Sequence, residues 1–346
     1  MQAQKRQRVG RRGLEVTQFS LGGTGFGNMY SKMEEQMAMD TVATAYDAGI
    51  RYFDTAPLYG YGLSEERLGA GLARFERDEV AISTKVGYTL VPMEGERSLD
   101  GIFIDVPALD AVFDFSRDAI MRSLEQSMER LQTERIDIVL IHDPDEGVTL
   151  LEPGSDPYSK SHFEEVMEQT YPALDELRSQ GVIKALGLGM NQWEMLADFA
   201  RAGDFDCFLL AGRYTLLEQE SVHQFLPLCQ EKDIRIIVGG PYNSGILATG
   251  AVEDARYNYV PAPEQIVQRV RRIEAVCARH QVSLQAAALQ FPFGHAAVAS
   301  IIPGAGSGAE IDANIAFFEE DIPVAFWQEL KSEGLVDPAA PLPGQD

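Results

Sequence analysis

Four side chains of complementary chemistry stand at the ends of three apolar runs or just beyond them. IRYFDTA (50–56) delivers Asp54, with Tyr59 in the segment that follows, VAISTKV (80–86) carries Lys85 near its end, and IDIVLIH (136–142) ends at His142. A tyrosine hydroxyl has an ordinary pKa of about 10, too high for ready proton exchange near neutrality unless a nearby cation stabilises the phenolate. Lys85 can be that cation, Asp54 can offset the cost of holding an ammonium away from water, and His142 can hydrogen-bond a substrate oxygen. Together they would make a proton donor or acceptor for interconverting a carbonyl and an alcohol. Singly, each has a commoner structural reading as a helix cap, a packed ring, a solvated end or a core histidine. The joint pattern reverses that balance.

Those residues can meet only if the chain brings the ends of distant runs together. Further β-branched or apolar runs at 182–188, 207–212, 234–240 and 298–304 alternate with amphipathic stretches such as 34–49, 116–131, 170–181, 191–203 and 264–281. Strand then helix, repeated, implies parallel strands joined by helical crossovers, and strands this uniformly apolar are covered on both faces. A count near eight and a length of 346 residues point to a (β/α)8 TIM barrel rather than an open sheet, with LQFPF (289–293) as a weak eighth strand. The expected organisation is one domain over 1–346, the barrel occupying about 9–327 between short flexible ends. Residues 8–21 read as an N-terminal β-hairpin plugging the floor, with Arg12-Gly13 as its turn. In this reading Asp54, Lys85 and His142 end the first, second and third strands. The long connections 87–115 and 143–168 become substrate-side loops on the C-terminal face, although the Gly- and Asp-rich GERSLDG (95–101) keeps a disordered insertion open.

Composition narrows the classes of function. With 53 Asp and Glu against 29 Lys and Arg, a net charge of −24 argues against binding to phosphate backbones, so no nucleic-acid partner is expected. The basic cluster Lys5, Arg6, Arg8, Arg11 and Arg12 lacks a following apolar segment and reads as a solvated tail. No window has the roughly 18 apolar residues of a membrane span, so a cytoplasmic location without membrane attachment is expected. Cys207, Cys229 and Cys277 are odd in number and show no C-x-x-C spacing, which fits core thiols. The five histidines show no ligand spacing, and no metal is expected. The Pro-rich end DPAAPLPGQD (337–346) reads as loosely held.

FDTAPLYGYGLSEERLG (53–69), STKVG (83–87) and LIHDPD (140–145) resemble, in order and spacing, the signatures of the aldo-keto reductases. The resemblance runs from about Val9 to Trp327. It implies an oxidoreductase with a nicotinamide cofactor, in which Tyr59 is the general acid/base, Lys85 and Asp54 tune it, and His142 orients the carbonyl. The stretches APLYGYGLSE, GMNQWEML (189–196) and LLAGRYTLLEQ (209–219) are similar to the aldose 1-dehydrogenase branch, with its L-fucose, D-threo-aldose and L-galactose dehydrogenases. A pyridoxal dehydrogenase is a close relative in that branch. The expected reaction is hydride transfer between the cofactor and C1 of an aldose, sugar to lactone. Tyr88, Asp143, Asp145 and Trp193 are candidates for holding the substrate's hydroxyls.

Three Gly-rich turns, GGTGFG (22–27), GLGMN (187–191) and PGAGSG (303–308), could approach a cofactor, and none matches G-x-G-x-x-G. The third leads into a helix, whose N-terminus suits a phosphate. Gly23, Asn191, Gly304 and Ser307 are the cofactor candidates, and the resemblance adds Glu310 and Asn314 at the adenosine end and gives Asn191 the carboxamide. NAD is expected over NADP because Ile302 to Gln328 contains no Arg or Lys. The family's usual glutamine beside the carboxamide falls at Ala211, and its stacking aromatic near Gly239, where Tyr242 or Tyr214 would have to substitute. A pyridoxal dehydrogenase, a general aldehyde or ketone reductase, a cofactor-binding regulatory subunit and a lyase or isomerase on the same barrel remain open.

Overall fold

A computed structural model describes residues 1–95, 101–152 and 154–344. Arg6–Val9 (β1) pairs antiparallel with Leu14–Thr17 (β2). Leu21–Gly22 (β3), Tyr52–Asp54 (β4) and Ala81–Val86 (β5) begin a parallel sheet. A hairpin, Tyr88–Pro92 (β6) and Leu109–Phe113 (β7), interrupts it. The sheet resumes with Ile138–His142 (β8), Ala185–Met190 (β9), Cys207–Ala211 (β10) and Arg235–Gly239 (β11). After a small hairpin, Arg256–Tyr257 (β12) and Val260–Pro261 (β13), it ends at Val298–Ile302 (β14). The strand order is β14-β11-β10-β9-β8-β5-β4-β3, and parallel bridges Phe19–Ile301 and Gly22–Gly304 bring its two edges together. This is the expected (β/α)8 barrel, with helices such as Glu35–Asp47, Arg117–Arg130 and Trp193–Ala202 between its strands.

The period of two along each strand sorts its residues. Tyr52, Ala81, Ile138, Leu140, Ala185, Cys207, Leu209, Ile237 and Ala299 form one buried cluster inside the barrel, and Val9, Leu14 and Val16 of the hairpin join it. The hairpin therefore closes the floor. The alternate residues face the helices and form the larger outer cluster. Continuing the inward row towards the C-terminal ends passes from these apolar residues to Asp54, Lys85 and His142. The barrel's own periodicity thus aims all three at one mouth.

Several expectations need correction. LQFPF is not a strand: Leu284–Gln290 is a buried Ala-rich helix capped by Ser283, and Phe291–Gly294 is a 3-10 turn. Pro292 suits that turn and would break a ladder. The missing strand is β3, so short that its two residues read as the hairpin's exit. Asp54, Lys85 and His142 consequently end or nearly end the second, third and fourth barrel strands. The basic cluster is no tail, because Arg6–Val9 is β1 and Arg8 and Arg11 pair with Asp233 and Asp204. The C-terminal stretch is held too: Ala340 and Leu342 are buried, and Lys331 donates to Ala340 O at 2.8 Å. Of the GERSLDG segment, residues 96–100 lie outside the described residues; the flanking chain is folded as β6 and β7. All three cysteines are buried free thiols. Among the described residues no helix is long and apolar enough to cross a membrane.

Candidate active site

Neighbouring strand ends place the four candidates together. Lys85 Nζ donates to Asp54 Oδ2 at 2.7 Å and to Thr55 O at 2.8 Å, while Ser83 donates to Asp54 Oδ1 at 2.6 Å. Both partners of the ion pair are about 1% exposed. Gly189 on β9 borders the lysine stem, and a Cβ there would make only an ordinary 3.5 Å contact with Lys85 Cε. Lys85 Nζ lies 4.5 Å from the centroid of the Tyr59 ring, and the Tyr59 and His142 rings meet edge to face at 5.8 Å.

Tyr59 owes its position to two glycines. The turn after β3 and the turn after β4 touch at Gly27 and Gly60. A Cβ on Gly27 would come within 2.6 Å of the Tyr59 carbonyl carbon, and one on Gly60, whose φ is 65°, within 2.5 Å of Gly27 Cα. Only glycine permits that approach. Phe103, from the connection after β5, stands 6.4 Å from the Tyr59 ring.

Electrostatics set the protonation states. Burial disfavours the Lys85 ammonium, yet Asp54 and Tyr59 outweigh burial and its pKa is raised. Burial, then the Lys85 charge, holds His142 well below its ordinary value, so the imidazole is neutral. Its Nδ1 is buried with no hydrogen-bond partner. The Tyr59 hydroxyl departs from the sequence-based expectation. Burial raises its pKa above 10.0, and Lys85, through charge and a hydrogen bond, opposes that rise without cancelling it. A hydrogen bond with Thr24 acts in the same direction as Lys85. The arrangement is a buried proton donor whose conjugate base is stabilised by a fixed cation, beside a neutral hydrogen-bonding imidazole.

A cleft of about 600 Å³ leads away from this group. It runs from Asp54 and Tyr59 past Asn191, Ala211, Gly239 and Tyr242 to Pro303–Gly306 and Glu310. A volume of this order holds a cofactor-sized ligand, and Ala211, Gly212, Gly239 and Gly240 keep part of its wall flat. At its far end Glu310 Oε2 accepts from Gly306 N–H at 2.8 Å, a carboxylate occupying a donor suited to an anion. The residues therefore fit a nicotinamide dinucleotide.

The cofactor candidates divide. Asn191, Gly304 and Glu310 line the cleft, and Asn191 Nδ2 is tied to Ala211 O at 2.8 Å. Gly23 does not face it as expected: its N–H donates to Asp54 O at 2.7 Å, its carbonyl accepts from Ser64, and its neighbours Gly22, Thr24 and Gly25 do the lining. Ser307 caps the helix Gly308–Glu319 by accepting from Glu310 N–H, and Asn314 accepts from Tyr242 OH at 2.7 Å, so both stand behind lining residues. Of the two substitute aromatics, Tyr242 lines the cleft, whereas Tyr214 is buried against Phe291. Sequence reading missed Thr24 and Tyr259. The latter, on the turn between β12 and β13, lines the cleft and hydrogen-bonds Asn191, with burial raising its pKa to about 12. The turn pair Asn258-Tyr259 is visible in the sequence, but nothing local says what it faces.

Among the four substrate-side candidates, Tyr88 and Asp143 stand beside His142: the Tyr88 ring is 5.1 Å from the imidazole, and Asp143 Oδ2 is 3.6 Å from Nε2. Asp145 turns into its own loop, accepting from Gly147 N–H, and Trp193 packs against the outer core.

A model described as the Aldo/keto reductase family matches residues 18–333. The chain is 38% identical to a pyridoxal 4-dehydrogenase of Microbacterium luteolum, over 97% of this chain and 99% of that protein. It is 37% identical to a D-threo-aldose 1-dehydrogenase of a Pseudomonas species, over 94% and 96%. In fold it matches a glycerol dehydrogenase from Gluconobacter oxydans, with TM-score 0.74 at 20% identity and 99% of both chains covered.

Proposed function

The chain belongs to the aldo/keto reductase family, oxidoreductases that use nicotinamide cofactors, and we propose that it oxidises C1 of a free aldose to the lactone with NAD as the preferred cofactor. The observation that carries this reading is the buried Lys85–Asp54 pair set against Tyr59, next to a neutral His142. In the oxidising direction the Tyr59 oxygen accepts the C1 hydroxyl proton. Lys85 stabilises the negative charge on that oxygen before transfer, and Asp54, fixed by Ser83, keeps the ammonium charged and in place. His142 hydrogen-bonds the reacting oxygen from its neutral ring. When bound, an oxidised nicotinamide would supply the hydride acceptor.

A sugar's hemiacetal carbon carries both the hydrogen that leaves as hydride and the hydroxyl whose proton goes to Tyr59, so the C1–O single bond becomes the lactone carbonyl with no nucleophile required. Asn191 would hold the carboxamide, and the loop Pro303–Ser307 with Glu310, backed by Asn314, would hold the adenosine end. The Glu310 carboxylate already occupies the Gly306 N–H and would repel a 2′-phosphate. A second reading, pyridoxal oxidation, draws on the 38% identical relative and on the aromatic wall formed by Tyr88 and Phe113, whose rings lie 4.3 Å apart.

The test is formation of reduced cofactor from NAD over a panel of aldoses and pyridoxal, assayed in both directions. The reading expects oxidation of at least one aldose with its lactone as product. Efficient reduction of simple apolar aldehydes with NADPH, and no aldose oxidised, would replace it with a general carbonyl reductase.

A further inference from the structure

Directly after His142 the backbone leaves β8 in the left-handed region, with φ 43° at Asp143. Aspartate, asparagine and glycine tolerate that conformation better than other residues. The Asp143 N–H donates to Gly189 O at 3.1 Å, so the turn is fixed to the neighbouring strand. It sets the carboxyl beside the catalytic imidazole, Oδ2 lying 3.6 Å from His142 Nε2 and 3.5 Å from Tyr88 OH. Neither contact satisfies a carboxylate. His142 is neutral, and the tyrosine contact is at the outer limit of a hydrogen bond. Among the described residues no Lys or Arg forms an ion pair with Asp143. Burial, reinforced by Asp145 and opposed by Lys85, drives its pKa up to about 8. A largely buried acid without a full partner, on strained backbone at a barrel mouth, is costly to keep unless something else completes it.

We propose that Asp143 binds the substrate hydroxyl on the carbon next to the reacting carbon, so that the unit this site recognises is an α-hydroxy carbonyl and its reduced or cyclic equivalents. The inference rests on the reading above in one respect, that His142 and Tyr59 hold the reacting oxygen. Oxygens on adjacent carbons are separated by a distance comparable to the gap between Nε2 and Oδ2. A substrate oxygen held at His142 therefore presents its neighbour to Asp143, which accepts the hydroxyl's hydrogen bond as a carboxylate and can exchange hydrogen bonds with it as the acid. Preference for such substrates follows, because a wrong substrate leaves the buried acid unpaired.

The experiment compares kcat/KM for NADH-dependent reduction of glyceraldehyde and of propionaldehyde, which lacks the hydroxyls, in the wild type, Asp143→Gly and Asp143→Asn. Both replacements suit the left-handed backbone. The wild type is expected to prefer glyceraldehyde at least about tenfold. That ratio should collapse towards one in Asp143→Gly and fall severalfold in Asp143→Asn, which keeps an acceptor but not the carboxyl's exchangeable proton. A purely structural role would slow both aldehydes alike and leave the ratio intact. An unchanged ratio in Asp143→Gly, or in Asp143→Asn should the glycine variant not fold, overturns the proposal, as does a wild type with no preference. Tyr59→Phe separates the two levels: full activity in that variant defeats the reading of the site, whereas an inactive Tyr59→Phe with an intact ratio in the Asp143 variants defeats this inference alone.

Discussion

Replacing Asp54 with asparagine should leave a buried ammonium without its counter-ion. The Lys85 Nζ–Asp54 Oδ2 pair is 2.7 Å long and about 1% exposed, and the remaining partners, Thr55 O and the Tyr59 hydroxyl, carry no countercharge near neutrality. Breaking a buried pair from one side costs about 3–5 kcal/mol. At roughly 2.1 cal/mol/K of unfolding entropy per residue, a chain of 346 residues loses about 1.4 °C of Tm per kcal/mol, so the variant should melt about 4–7 °C lower near neutral pH. The pH dependence carries a sharper sign. In the wild type the Lys85 pKa is raised above 10.5, so its contribution is fully present below 10.5 and is lost as pH climbs through the folded value. In Asp54→Asn, burial is no longer opposed by the carboxylate and the folded pKa drops below 10.5. The unfolded chain then binds more protons, and stability rises with pH in the window below 10.5. Denaturant unfolding of both proteins across neutral to alkaline pH measures this. A variant within about 0.5 kcal/mol of the wild type, with an unchanged slope, would refute the buried-charge account.

Three further outcomes follow from the same geometry. Because burial holds the Tyr59 pKa above 10.0, aldose oxidation should rise with pH throughout the range below 10.0; Lys85→Met removes the stabilising cation and should displace the rising limb to still higher pH, and displacement to lower pH would contradict the electrostatics. Gly27→Ala forces a Cβ against the backbone of Tyr59 and Gly60, and a misplacement of about 1 Å costs on the order of 10²-fold in rate, so kcat should fall by that order in a protein that still binds cofactor by fluorescence titration. NAD should bind more tightly than NADP, and Glu310→Ala should narrow the difference; titrations showing NADP tighter in the wild type would point instead to Lys32 or Arg213, which also line the cleft.

The barrel was legible because uniformly apolar strands alternating with amphipathic helices write themselves into the sequence locally. Asp54, Lys85 and His142 could be placed at one mouth on that basis alone. What stayed hidden was non-local. β3 is two residues long and held chiefly by its neighbour and by Gly304, so it has no pattern of its own. LQFPF is apolar because a helix there is buried, and a short apolar run does not say which element it belongs to. Lys85's proximity to Tyr59 was readable, but the balance of burial against charge at the phenol was not, since it depends on how much protein surrounds the ring. The same limit separated Asp143, turned beside His142 by one left-handed residue, from Asp145, two positions on and engaged in its own loop. Gly23 is the converse case, a glycine required for close approach to Asp54 O rather than for a ligand.

Hydride should leave C1 of an aldose as its hydroxyl proton passes to Tyr59. Oxidation of an aldose carrying deuterium at C1, with NAD, followed by recovery of the nicotinamide and the sugar product, measures this. The label should be transferred to the reduced cofactor with lactone formed in equal amount, and Tyr59→Phe should slow the transfer by about 10²–10⁴-fold. Label retained in the sugar, or transfer at the wild-type rate in Tyr59→Phe, would contradict it.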